Sequence, residues 1–170
     1  LICDGPADIV LGFEPKEGGI MKEKPKSVKD PILPKLSAIL IAVISSFSAI
    51  FALFVFHHYY NIHQDILAGR SMVFAVLAIN SMIYIFAYRS MRLPIFKMNK
   101  LTANPLLIWS VLLGLVTIVI AFAIPGLRHV LGLVPLSFMQ WAMVIGFGIG
   151  LLLIVELGKT IANYKIKDKT

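Results

Sequence analysis

One cysteine, Cys3, is present among 170 residues. An intrachain disulfide is therefore excluded, and the position of the thiol beside a carboxylate assigns it to packing or to a site rather than to redox work. No Gly-x-x-x-x-Gly-Lys phosphate loop occurs anywhere in the chain. The opening residues lack a basic n-region and a small-residue cleavage site, so they do not read as a signal peptide. Leu1 is not an initiator methionine, and the stretch supplies only half a membrane span; the expectation is a fragment cut inside a helix. Acidic residues are scarce, nine Asp and Glu against sixteen Lys and Arg, for a formal net charge of +7.

What is abundant is apolar sequence. Hydrophobic residues make up 58% of the chain, and the mean hydropathy of +0.86 fits a bilayer better than water. Runs of about 18 apolar residues are long enough to cross. They occur at 36–56, 71–88, 106–124 and 138–157. The expected fold is all-α and integral to the membrane: the end of a broken helix, then four spans in two hairpins. Residues 1–13 form that helix end, 14–35 a loop, 36–157 the four-span region and 158–170 a basic tail.

The positive charge follows this pattern. Fourteen of the sixteen Lys and Arg fall before the first span, after the second and after the fourth, whereas Arg70 and Arg128 fall in the other two connections. The positive-inside rule then puts the long loop, the central loop and the C-terminus in the cytoplasm. Topology accounts for the charge, so no nucleic-acid partner is implied; the lipid bilayer is the partner, and the central loop is suited to anionic headgroups. Residues 14–35 mix Lys, Glu, Gly and Pro and read as a solvated connector.

The sequence is organised around Asp4-Gly5-Pro6. An ionised side chain at membrane depth costs about 2.5–3.5 kcal/mol on insertion scales, so Asp4 needs a partner, a cation or water. Two readings are open. Gly5 and Pro6 can break a helix and free its carbonyls for an ion, or Asp4 can cap a short helix with Pro6 in its first turn.

Asp4-Gly5 followed by Pro6, then Leu11-Gly12, Glu14-Pro15, Ile20-Met21 and Pro25-Lys26, resembles the end of the sixth transmembrane helix and the next cytoplasmic loop of P-type cation-transporting ATPases, in particular the calcium-pump-like branch. The resemblance implies that Asp4 is a cation ligand in the membrane, aided by free carbonyls near Cys3. It also implies a parent chain that uses ATP and magnesium and moves calcium or another cation, partnered by its own remaining transmembrane and cytoplasmic domains, in the plasma membrane of a prokaryote. The chain departs from the family pattern at Cys3, where Thr is common, and at Asp8, where a small or polar residue is usual. Catalysis is not expected within these residues, since Asp168-Lys169-Thr170 lacks the glycine of the phosphorylation motif Asp-Lys-Thr-Gly.

Asn80-Ser81, followed by Arg89-Ser90, resembles the eighth helix of the same pumps. Either residue can give a neutral oxygen to the cation site or make an interhelical hydrogen bond. Pro135-Leu136-Ser137 with Gln140-Trp141 resembles the family's last hairpin, the whole of 127–137 reading as a short connection. Elsewhere the reading is structural. Ser37, Ser45, Ser46 and Ser48 suggest a packing face, and Gly146 with Gly150 a close helix contact. Glu156 and Lys159 read as an interfacial pair that reaches water, and His57, His58 and His63 as interfacial residues, with a metal site the alternative. A small stand-alone membrane subunit without ATPase chemistry is the other functional reading.

Overall fold

The computed structural model describes residues 5–15, 35–61, 64–90, 94–97 and 101–167. Cys3, Asp4, His63 and most of the 14–35 loop lie outside the described residues, so what was expected of them meets no geometry. All the regular structure described is helical: α1 Gly5–Leu11, α2 Lys35–Asn61, α3 Ile66–Tyr88, α4 Pro105–Ala123, α5 Pro125–Leu131 and α6 Phe138–Lys167, with single 3-10 turns at Ile95–Lys97 and Leu101–Ala103. Four helical stretches are long and apolar enough to cross a membrane: Ser37–Asn61, Ile66–Tyr88, Pro105–Ala123 and Phe138–Ile161.

Several helices start for an identifiable local reason. In α1, Pro6 occupies the first turn, where a missing N–H has no intrahelical partner to lose. From Gly5 onward that helix is regular. Asp65 caps α3, its Oδ1 accepting from Ala68 N at 2.9 Å. Asn104 caps α4 through Leu107 N at 3.1 Å, with Pro105 next. At α6, Ser137 Oγ accepts from Gln140 N at 3.3 Å while Ser137 N donates to Gln140 Oε1 at 2.7 Å, a reciprocal capping box.

The connection at 127–137 is more than a bare hairpin. Pro125 opens the seven-residue α5 and Gly132 closes it at φ 64°, a left-handed position natural to glycine. Val134 N then donates to Ser71 Oγ at 2.8 Å, docking the returning chain on α3.

The helix at the centre is α3. Over its apolar stretch 56% of residues are buried, against 22–33% in the other three spans. It packs most extensively on α2 and α6, while α1 lies mainly along α4. Met72, Ala75, Val76 and Ile79 of α3 join Val55, Val111, Ile118 and Val144 in the main core. Trp141 meets Phe122 edge-on with ring centroids 5.0 Å apart, and Phe51 stacks on Phe147 at 3.7 Å.

Two packing expectations are corrected. Leu40, Ile44, Ala52 and Val55 form the buried stripe of α2. Ser45 and Ser46 are exposed, so only Ser37, which is buried, and Ser48, whose Oγ lies 3.3 Å from Tyr84 Oη, belong to that face. A Cβ added at Gly146 or Gly150 likewise meets nothing within 4 Å among the described residues, whereas at Gly148 it would fall 2.5 Å from Asn80 Oδ1 and 2.6 Å from Ile83 Cδ1. The close contact belongs to Gly148 because its side of α6 faces α3. Gly148→Ala should therefore destabilise the protein by about 1–3 kcal/mol through overpacking, and Gly146→Ala and Gly150→Ala by less than about 0.5 kcal/mol. Thermal unfolding in detergent checks the ranking.

Candidate cation site

The described part of α1 begins one residue after Asp4 and lies against α3 and α4, with Ala7 fully buried in the main core. Small size at Ala7 lets this short helix seat closely. The neighbouring carboxylate, Asp8, is exposed toward a groove of about 260 Å³ between α1 and α3, lined also by Ser81, Met82, Tyr84, Ile85 and Tyr88.

The two candidate residues of α3 face different neighbours. Ser81 opens to the α1 groove, and its Oγ donates to Ala78 O at 2.9 Å. Asn80 is 2% exposed and is turned toward Gly148 of α6. Its Oδ1 and Nδ2 have no hydrogen-bond partner among the described residues. An amide buried without partners carries its full desolvation cost, about 1–3 kcal/mol. Of the two readings open for Asn80, the interhelical hydrogen bond is not made among the described residues, and its contact with α6 is steric.

Behind the groove, three helix ends are tied together. Glu14 accepts from Arg89 through both Nε, at 2.8 Å, and Nη2. Asn104 Nδ2 donates to the other carboxylate oxygen of Glu14 at 3.1 Å and lies 3.3 Å from Val10 O. Asn104 thus caps α4 with its oxygen and holds α1 with its nitrogen. The Arg89 side chain has no solvent exposure and that of Glu14 only 12%, so the ends of α1, α3 and α4 share one buried polar junction.

A second junction overturns the interfacial reading of Glu156 and Lys159. Their side chains are 7% and 1% exposed. Lys159 Nζ donates to Glu156 Oε1 at 2.9 Å and to Ala87 O at 2.6 Å, and Glu156 Oε2 accepts from Ile95 N at 2.6 Å. The pair thus bonds to Ala87 at the end of α3 and to Ile95 in the 3-10 turn, partners that single-helix reasoning does not foresee.

At the opposite end of the bundle, Asn61 Nδ2 lies 2.8 Å from His57 Nδ1, and Gln140 Nε2 donates to Tyr59 Oη at 2.7 Å. Among the described residues no three His, Cys, Asp or Glu side chains gather where a metal could bind. The sequence reading missed the junction that Glu14 makes with Arg89 and Asn104, and the buried character of Lys159. The available signal was a charged or amide residue just beyond each helix end.

A family model described as cation transporting ATPase, C-terminus, matches residues 1–161. The chain belongs to that family. Calcium-transporting ATPase 1 of Bacillus cereus is 27% identical to it over 174 residues, covering 94% of this chain and 20% of the relative. A calcium-transporting ATPase of Bacillus subtilis is 25% identical over 147 residues, covering 86% of the chain and 16% of the relative. The human calcium-transporting ATPase type 2C member 1 is 24% identical over 169 residues, 98% of the chain and 18% of the relative. The chain spans about a fifth of the length of these relatives. The expected kinship with the membrane region of calcium-pump-like P-type ATPases is borne out, as is the all-helical membrane fold.

Proposed function

We propose that this chain is the C-terminal membrane part of an ATP-driven calcium pump and that Asp4 is one of its cation ligands. The family match over residues 1–161 carries the reading, and the printed names of the relatives point to calcium. The stand-alone subunit has no comparable support.

Calcium takes six to eight oxygens. In this reading Asp4 supplies charge, carbonyls near Cys3 supply neutral oxygens, and Ser81, on the α3 face that opens toward α1, is better placed to help than Asn80. The remaining ligands, and the ATP and magnesium chemistry, come from the other domains of the parent. Fourteen of the sixteen Lys and Arg fall in the sequence before the first span, after the second and after the fourth, which supports a cytoplasmic side for those connections, and the membrane is proposed to be the plasma membrane of a prokaryote. The junction of Glu14, Arg89 and Asn104 gives α1 a fixed cytoplasmic end about which its upstream part tilts when the pump changes state.

The test is phosphorylation of the full-length parent from labelled ATP, scanned over calcium, magnesium, manganese, sodium, potassium and pH. Calcium should control phosphoenzyme formation in the wild type, and Asp4→Asn should raise the calcium needed by at least about tenfold, the effect of losing about 1.4 kcal/mol. Unchanged calcium dependence in Asp4→Asn would make Asp4 structural.

A further inference from the structure

Arg70 departs from the charge pattern of the chain, since it falls in a connection opposite the one that holds most of the Lys and Arg. It stands four residues into α3, about 6 Å along the helix, and is exposed. Among the described residues its guanidinium has neither an ion pair nor a hydrogen bond. Asp65, the acid of that connection, is engaged in capping α3 through Ala68 N.

A cavity of about 320 Å³ lies beside this cation, lined by Phe56 of α2, by Val73 and Phe74 of α3, and by Leu131, Gly132 and Leu133 at the end of α5. Short distances hold the three walls together. Phe56 Cδ2 comes 3.3 Å from the position a Cβ would take at Gly69 of α3, and Val134 N donates to Ser71 Oγ at 2.8 Å. Arg70 Nη2 comes 3.3 Å from the Cβ position of Gly132, so the bare glycine leaves room for the guanidinium at the end of α5.

Arg70, Val73, Phe74 and Leu77 follow at intervals of three and four, which puts them on one face of α3. Leu77, 54% exposed, extends that face toward the middle of the helix. The 23 residues of α3 cover about 34 Å, slightly more than the hydrocarbon thickness of about 30 Å. Arg70 therefore stands near the level of the headgroups, with apolar surface beneath it. Beside it α5 buries no residue and exposes Leu127, Val130 and Leu131, as a helix lying in the interface does.

We propose that this cavity holds one anionic phospholipid, with its phosphate on the Arg70 guanidinium and an acyl chain along Val73, Phe74 and Leu77. A guanidinium can meet two phosphate oxygens at once. The cavity offers no carboxylate to receive the cation of a zwitterionic headgroup, so charge complementarity favours the anionic lipid. Bound there, the lipid ties the end of α5 to α2 and α3. The site goes beyond the pump reading, and its test uses neither calcium nor ATP.

The experiment is native mass spectrometry of the purified full-length protein in detergent, titrated separately with phosphatidylglycerol and phosphatidylcholine. Wild type should hold one phosphatidylglycerol at this site at least about tenfold more tightly than phosphatidylcholine. Arg70→Gln should lose one lipid from the tightly bound set, and Arg70→Lys should keep it with weaker affinity. Val73→Trp, which fills the apolar wall and leaves the charge, should lose it too. In lipid-free detergent Arg70→Gln should unfold at the wild-type temperature, because an exposed side chain without partners has been changed; phosphatidylglycerol should then raise that temperature more in wild type than in Arg70→Gln. A tightly bound set unchanged in Arg70→Gln overturns the site. So does phosphatidylcholine held there as tightly as phosphatidylglycerol, or displacement of the lipid by millimolar inorganic phosphate, which would reduce the site to a bare cation.

Discussion

Lys159→Met should destabilise the protein by about 3–5 kcal/mol, the usual cost of removing one partner from a buried ion pair. The ammonium is 1% exposed, and its loss strips Glu156 Oε1 and Ala87 O of their donor together. The Glu156 carboxylate would remain buried, held only through its other oxygen by Ile95 N. The double variant Glu156→Leu, Lys159→Met should recover much of that loss, because it removes the orphaned charge. It should not recover all of it, since Ile95 N and Ala87 O then lack side-chain partners. Unfolding of the purified parent, comparing the single and double variants, measures the coupling. A single variant as stable as wild type would mean that the pair reaches water.

The second large effect is expected at Arg89. Arg89→Leu should cost about 3 kcal/mol, the lower end of the same range, because Glu14 keeps 12% exposure and still accepts from Asn104. Asn104→Ala should cost about 1–2 kcal/mol, combining the loss of an N-cap with a bond to a charged group. The two losses should not add, since both act on the Glu14 carboxylate. The functional consequence distinguishes this junction from the Lys159 pair. Loosening the end of α1 should raise the calcium concentration required for phosphorylation, whereas the described hydrogen bonds of the Lys159 pair run to Ala87 and Ile95 and not to α1. Arg89→Leu with unaltered calcium dependence would limit the junction to stability.

The spans were legible because hydropathy over a window of some twenty residues depends on composition more than on contacts. Their ends were not. The α2 helix continues past 56 to Asn61 because the His and Tyr residues there are interfacial and still helical. The α3 helix starts at Ile66 rather than 71 because Asp65 caps it, and a lone Arg70 ends an apolar run without ending a helix. The Ser137 and Gln140 capping box was present as S-x-x-Q and passed over. Glycine spacing misled, since Gly148 and not the Gly146 and Gly150 pair meets α3. The polar junctions were hidden for a different reason. Glu14 and Arg89 are 75 residues apart, and a local reading sends each charge to water. Lys159 finds its partner at Ala87, 72 residues away on another helix, which no helical periodicity encodes. Of the candidate site, Asn80 and Ser81 read as a pair because they are adjacent, yet adjacent helical residues point about 100° apart. One accordingly meets α6 and the other α1.

The most direct measurement is ATP-driven uptake of radiolabelled calcium into inside-out membrane vesicles carrying the full-length parent, wild type beside Asp4→Asn at equal expression. The account predicts uptake that requires ATP in the wild type and falls at least about tenfold at limiting calcium in the variant. Wild-type vesicles that accumulate no calcium with ATP, or a variant that transports as well as wild type, would contradict it.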